Sequence, residues 1–343
     1  MKTSATAPTT VPYPLLKEVS RSFYLSLRWL PSAVRPQLSL AYLLARATDT
    51  VADTELVPLP QRLETLRRWQ KRILGKTTEP LNWREMAGHQ GHAAERELLE
   101  KIEDLVLMME AQADEDCHLI RHVLGIITSG QILDLERFGE PASGERVRAL
   151  TNRMELEDYT YRVAGCVGEF WTRLCFVHLR PLPETSLEKM VTMGVAFGKG
   201  LQLVNILRDL PRDLRQGRCY LPADELQARD LRPSDLLEPS AEGKLRPVYE
   251  SWLEQARAWL EEGWRYTLAL PAGWRRVRLA CALPVLIGIK TLVKLQHYAI
   301  LNPDLRIKVT RQEVRGILWR VVLCHPWPNK WKQLPDSPFF LNP

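Results

Sequence analysis

From Tyr13 to about Leu323 the apolar residues of this 343-residue chain recur every three or four positions and hardly ever alternate. That period belongs to helices that bury one face, whereas a half-buried strand needs a period of two. Leu15, Val19, Phe23 and Leu27 set the pattern. Pro31 breaks this first helix, and Ser32 suits the cap of a second that runs to about Asp53, with Leu38, Tyr42 and Ala45 on one stripe. Further helices are expected at about 60–75, 93–113, 115–138, 145–179, 185–215, 243–269, 275–300 and 310–323. No alternating run is bounded by hairpin turns, and no repeat of fixed period is visible. Pro and Gly gather in loops at Gly139–Gly144, Pro181–Pro183 and Leu231–Pro247. The pattern predicts an all-α chain with a single helical domain over 12–323. A disordered arm rich in Thr, Ala and Pro precedes it at 1–11, and a basic aromatic tail follows at 324–343.

Composition limits the classes open to such a chain. Hydrophobic residues are 45% and charged residues 26%, as in ordinary globular proteins with a large core. No uninterrupted apolar run reaches the roughly 18 residues that cross a bilayer. The start, MKTSATAPTTVPYP, has no apolar stretch like that of a secretion signal. Six cysteines (117, 166, 175, 219, 281 and 324) lack CxxC spacing, which predicts reduced thiols in the cytoplasm and argues against a disulfide framework or zinc site. Of the +6 net charge, +4 lies in Leu301–Pro343, which holds seven Lys/Arg and three Asp/Glu interleaved with Trp319, Trp327, Trp331, Phe339 and Phe340. Such a stretch suits an anionic membrane surface or nucleic acid, or else is a solvated tail whose aromatic residues pack on the body. No nucleic-acid fold signature accompanies it, so no nucleic-acid partner is expected.

Two acidic pairs carry the chemistry. Asp49 and Asp53 stand four residues apart in YLLARATDTVAD, with Tyr42 and Arg46 on the same helical face. Asp209 and Asp213 repeat the spacing in QLVNILRDLPRD, with Gln202 and Asn205 upstream, Arg208 and Arg212 alongside, and Arg218 and Tyr220 just beyond. Like charges on adjacent turns repel, a cost of a few tenths of a kcal/mol that a cation between them offsets. Carboxylates and amides are hard oxygen ligands, and Mg²⁺ typically takes one or two carboxylates and completes its shell with water and phosphate oxygens. Arginine's planar fork suits phosphate. One such pair alone reads as a surface salt-bridge motif. Two pairs, each within apolar helix and each with arginine in step, read as metal-bridged recognition of a diphosphate.

Three weaker patches remain. DYTYRVAGCVG at 158–168 places Ala164, Gly165 and Gly168 in a helix, where each glycine costs about 1 kcal/mol relative to alanine. Something must approach that face closely, either another helix or a bulky ligand. SRSF at 20–23 offers a serine and an arginine to a phosphate and Phe23 to a cavity wall. His118 and His122 form an HxxxH step with no third ligand in view, and a metal is not expected there. No Ser/His/Asp arrangement, P-loop or GxGxxG stands out.

Taken together, SRSF at 20–23, YLLARATDTVAD at 42–53, YTYRVAGCVG at 159–168 and QLVNILRDLPRD at 202–213 resemble, in order, the motifs of the squalene and phytoene synthase family, the head-to-head prenyltransferases. The resemblance spans about Val19 to Leu323. It implies an all-α isoprenoid synthase fold with a cavity between helices. It assigns Asp49, Asp53, Asp209 and Asp213, with Asn205, to metal and diphosphate. Ser20, Arg21, Arg46 and Arg208 are matched to diphosphate contacts, and Tyr159 to proton abstraction and diphosphate handling. Gln202 and Asn205 would line the cavity, with Phe23, Tyr42 and Leu203 as walls. One position departs: many members carry an acid immediately before the last Asp of the first motif, where this chain has Ala52.

The stretch CALPVLIGIKTL at 281–292, followed by IKVTRQEV at 307–314, is more like squalene synthases than phytoene synthases. The resemblance therefore implies a monomeric, cytoplasmic, Mg²⁺-dependent enzyme, with Mn²⁺ as substitute. It would condense two farnesyl diphosphates through presqualene diphosphate to squalene, with reduction by NADPH and any membrane contact peripheral. Phytoene, dehydrosqualene and hydroxysqualene are the alternative products. A helical scaffold that binds acidic lipid or a partner is the non-enzymatic alternative, and a terpene cyclase or head-to-tail prenyltransferase shares the metal logic without the YTYRVAG and SRSF stretches.

Overall fold

The computed structural model describes residues 10–20, 27–139, 146–302, 305 and 307–341. Most of the expected N-terminal arm, residues 1–9, lies outside them. The chain divides into two compact units, 1–140 with 173–180, and 141–172 with 181–343.

The first unit holds α1 (Tyr13–Ser20), α2 (Arg35–Asp53), α3 (Leu59–Ile73), α4 (Arg84–Gly88), α5 (Ala93–Glu100), α6 (Ile102–Glu110) and α7 (Asp114–Phe138). Helix α2 starts later than expected. Its N-cap is Val34, and Pro36 in the first turn supplies the fixed φ that begins a helix, so Ser32 is not the cap. The helix expected at 93–113 divides at Lys101, where φ −94° and ψ 11° leave the helical region. Trp69 of α3 is fully buried and donates to Thr128 Oγ1 of α7 at 3.0 Å. Arg72 is buried as well, forking onto Glu103 at 2.7 Å and Glu110 at 2.6 Å. Asp116, also buried, joins His178 Nε2 at 2.6 Å and the Gln37 amide at 2.9 Å.

The second unit contains α8 (Arg153–Thr160), a π-helical turn (Tyr161–Gly165), and α9 (Cys166–His178), whose residues from Arg173 onward count with the first unit. The long α10 (Leu187–Arg215) follows, then α11 (Ala223–Gln227), α12 (Glu242–Ala269), α13 (Arg275–His297), α14 (Arg311–Cys324), α15 (Pro328–Lys332) and α16 (Pro338–Leu341). Helix α10 packs along α12, and α13 packs against both. The single helix expected at 145–179 is therefore interrupted. It is preceded by a strand, β1 (Arg148–Leu150), which pairs in parallel with β2 (Arg218–Pro222) through Arg148 opposite Arg218. Strands of three and five residues are too short to show alternation in the sequence.

Two helices, Leu187–Arg215 and Arg275–His297, are long and apolar enough to cross a bilayer by length and composition, with 50% and 61% of their most apolar window buried in the chain. Counting only uninterrupted apolar runs missed them. All six cysteines are free thiols, and four are buried. The tail sorts its aromatic residues. Trp331 and Phe340 are buried, Trp264 Nε1 donates to the Lys332 carbonyl at 3.1 Å, and Lys290 donates to the Phe339 carbonyl at 3.0 Å. Trp319 and Trp327 stay exposed.

Candidate active site

In the first unit the acidic pair closes α2. Asp49 is half-buried and accepts from Gln131 Nε2 of α7 at 2.5 Å, while Asp53 is exposed. Burial, reinforced by repulsion from Asp53, pushes the Asp49 carboxyl up from 3.8 to about 6, against the opposing pull of Gln131 and Arg46. Arg46 pairs with Glu95 of α5. Two buried polar atoms beside Asp49 have no partner among the described residues: Arg46 Nε, a donor, and Gln131 Oε1, an acceptor. Unmet buried groups of both kinds, next to a carboxylate held against its inclination, fit a hydrated cation carrying phosphate oxygens. Arg62 secures the helix end, donating to the Ala52 carbonyl at 2.8 Å, so that a cation sits at the negative pole of α2. Tyr42 is half-buried on the same face.

The raised Asp49 pKa has a definite sign. Ionised Asp49 opposes folding, an effect absent below about 3.8, growing through the interval, and complete above about 6. Metal-free protein carrying Asp49→Asn is therefore expected to melt above the wild type at pH 7. The gap should close as pH is lowered through 6, and thermal melts in chelator across that range measure it. Over the same range, divalent-cation binding is expected to weaken about tenfold one pH unit below the pKa.

In the second unit Asp209 and Asp213 are half-buried on α10. Arg208 holds Asp209 by two bonds, Nε to Oδ1 at 2.9 Å and Nη2 to Oδ2 at 2.6 Å. Asn205, one turn back, is exposed, and Gln202 is half-buried. Between the acids stands Pro211, which has no N–H to return to the Leu207 carbonyl. The buried Tyr249 of α12 supplies that bond, its hydroxyl donating to Leu207 O at 2.9 Å. Tyr249→Phe is expected to leave the carbonyl unmet and cost about 1–2 kcal/mol in urea melts.

Tyr159 stands in the last turn of α8 and stacks on the buried Tyr220 of β2, with ring centroids 4.6 Å apart and planes 23° from parallel. The motif after it forms the π turn. Such single-turn π bulges are frequent at functional sites. Within it Tyr161 donates to Glu169 at 3.4 Å, and burial together with Glu169 raises the Tyr161 phenol. The small residues lie against another helix. A Cβ on Gly168 would lie 1.9 Å from the Gly194 carbonyl oxygen of α10, and one on Gly198 would lie 2.2 Å from the Ala164 oxygen. This backbone-to-backbone crossing ties the tyrosine turn to the helix that bears the second acidic pair.

Ser20 is buried, and its hydroxyl donates to the Leu16 carbonyl at 2.5 Å. It is spent within its own helix, so a diphosphate contact would have to displace that bond. Arg21 and Phe23 lie outside the described residues. Leu203 is fully buried in the packing of α10. Sequence reasoning missed Gln131, Glu95, Arg62 and Tyr249. Each reaches the acidic helices from another helix, and only Gln131, a polar residue amid the apolar pattern of ITSGQILDL, left any local trace. Among the described residues no three His, Cys, Asp or Glu side chains converge to enclose a metal. Each pair offers two carboxylates, the number Mg²⁺ takes when water and phosphate complete its shell.

An all-helical chain with a pair of in-phase carboxylates on each of two helices, and arginine beside each pair, has the build of an isoprenoid synthase. Residues 16–313 match the family described as squalene/phytoene synthase, and the chain belongs to that family. Over 295 residues it is 28% identical to the 15-cis-phytoene synthase of Synechocystis sp., covering 83% of this chain and 76% of that one. Among solved structures, TcSQS in complex with the ligand E5700 superposes with a TM-score of 0.72 at 20% identity, over 95% of this chain and 91% of that one. A dehydrosqualene synthase in complex with ligand gives 0.61 at 22% identity, over 91% and 94%. The chain is thus a prenyltransferase of isoprenoid biosynthesis, in a family that condenses prenyl diphosphates head to head and uses divalent metal.

Proposed function

We propose that this chain condenses two farnesyl diphosphates to presqualene diphosphate and then to squalene. The observation that carries the condensation is the half-buried Asp49, with its raised carboxyl and the unpartnered Arg46 Nε beside it. Asp49 with Asp53, and Asp209 with Asp213, would each hold divalent metal for a diphosphate, with Asn205 as a further oxygen ligand beside the second pair. Bound there, Mg²⁺ would supply Lewis acidity to the leaving diphosphate. Arg46 is held by Glu95 and Arg208 by Asp209, and a diphosphate would compete for those guanidinium forks. Departure of diphosphate leaves an allylic cation, which the double bond of the second substrate attacks. The Tyr159 phenol, or the departed diphosphate, takes the proton lost as the cyclopropane closes. Tyr42, Gln202 and Leu203, with Arg21, Ser20 and Phe23 from the SRSF stretch, would position the substrates and exclude water from the cation.

The squalene outcome rests on the likeness of 281–292 and 307–314 to squalene synthases. The sequence holds no GxGxxG stretch, and hydride delivery by NADPH is assigned to no side chain. A second reading, phytoene from geranylgeranyl diphosphate, is favoured by the name of the Synechocystis relative. We place the protein in the cytoplasm as a monomer, with one catalytic domain over 12–323, no nucleic-acid partner and a peripheral membrane contact. The test is product analysis of purified protein with farnesyl diphosphate, Mg²⁺ and NADPH. Squalene supports the reading. Phytoene from the longer substrate without any C30 hydrocarbon replaces it, as does dehydrosqualene formed with NADPH untouched or hydroxysqualene from water capture.

A further inference from the structure

Helix α14 buries one apolar face and leaves a second uncovered. Ile317 and Val321 are fully buried, yet Leu318 and Val322 are 39% and 40% exposed, and Trp319 and Leu323 are 65% and 64% exposed. Positions 318 and 322, like 319 and 323, stand one turn apart, so the four form a continuous stripe. Trp327 prolongs it at 61% exposed, its N–H bonded to the Cys324 carbonyl at the helix end. The neighbouring chain hides Trp331 and Phe340 completely, so the fold has the means to bury aromatics here and leaves these two tryptophans outside.

The rim of the stripe is cationic. Arg311, Arg315, Arg320, Lys330 and Lys332 are all exposed. Of the acids nearby, Glu313 is engaged by Lys294 at 2.9 Å and by the cap of its own helix, which leaves Asp336 as the exposed acid among the described residues from 307 to 341. Arg320 lies 3.7 Å over the Phe339 ring and Lys330 5.7 Å from the Trp327 ring. The charges therefore flank the apolar stripe at close range.

We propose that this face docks the protein on an anionic lipid bilayer. Nucleic acid would answer the charge and leave Leu318, Val322 and Leu323 in water. A bilayer interface answers both needs. Apolar side chains enter the acyl boundary, tryptophan rings settle at headgroup depth, and lysine and arginine stems extend to lipid phosphates. This face rests on the peripheral membrane contact proposed above and gives it a surface, whichever prenyl diphosphate the enzyme uses.

The test is co-sedimentation of the full chain with phosphatidylcholine vesicles, with and without about 30 mol % phosphatidylglycerol, whose negative potential draws basic segments. The wild type is expected to bind the anionic vesicles, to release in high salt, and to shift its tryptophan emission to the blue on binding. Arg315→Gln with Lys330→Gln is expected to weaken binding about 25-fold, from roughly fivefold per cation. Trp319→Ser with Leu323→Ser and Trp327→Ser is expected to weaken it by about a hundredfold, by loss of apolar insertion. All these positions are exposed, so both variants should melt with the wild type. No binding to anionic vesicles, or binding unchanged by the serine substitutions, would overturn the proposal. It would also fall if the wild type self-associates without binding vesicles and the serine variant is monomeric, since the face would then join copies of the chain.

Discussion

Asp49→Asn, or Asp209→Asn, is expected to reduce turnover of prenyl diphosphate by at least about a thousandfold, the scale of losing several kcal/mol of charge stabilisation at the leaving group. Asparagine keeps the shape and one oxygen of aspartate and removes the charge. The loss should therefore come without a change in helical content. The two variants separate in stability. Asp49 is ionised against its surroundings, so its replacement relieves the metal-free fold at pH 7, the usual trade between activity and stability at a site built for a ligand. Asp209 is already matched by the two bonds from Arg208, so its replacement strands that guanidinium and offers no such relief. Steady-state turnover with circular dichroism and melting curves reads both effects. Turnover within tenfold of wild type in either variant would contradict the assignment.

Gly168→Ala should be the most damaging methyl group that can be added to the chain's described glycines. The new Cβ would meet the Gly194 oxygen at 1.9 Å and its carbonyl carbon at 2.5 Å, and neither is the end of a flexible side chain. The two helices must part by more than an ångström, with loss of packing on both sides. A cost of about 3 kcal/mol or more is expected, at the upper end for overpacking. Turnover should fall further than stability alone explains, because the crossing fixes the π turn that follows Tyr159 against the helix that carries Asp209 and Asp213. Gly243→Ala is the control. It lies in α12 with nothing within 4 Å of its would-be Cβ, and should be neutral or stabilising by up to about 1 kcal/mol. Urea melts of the two variants beside wild type measure the contrast.

The long helices were legible because their apolar spacing is a property of each segment by itself. The acidic pairs were legible for the same reason: a four-residue step is local, and arginine in phase with it is local too. What failed was set by distant residues or by single backbone positions. Pro36, not Ser32, begins α2. The π turn at Tyr161–Gly165 leaves the apolar spacing around it readable as one continuous helix, and β1 and β2 exist through each other. The glycines of VAGCVG announced a close approach, and only the structure names its partner as α10. Gln131, Arg62 and Tyr249 correct the acidic helices from outside: one donates to a carboxylate, one caps a helix end, one replaces the bond that Pro211 cannot make. The tail's composition likewise could not say which tryptophans would be buried.

Each acidic pair is proposed to bind divalent metal that carries a diphosphate. Mn²⁺, which accepts the oxygen ligands of Mg²⁺ and is visible by electron paramagnetic resonance, tests it most directly when titrated into the protein with a non-ionising farnesyl thiodiphosphate. Tight, analogue-dependent Mn²⁺ binding is expected of the wild type and is expected to weaken both in Asp49→Asn and in Asp209→Asn, with the analogue's own affinity falling in parallel. Full Mn²⁺ and analogue binding in either variant would show that the altered pair holds no metal, and its assignment would have to be abandoned.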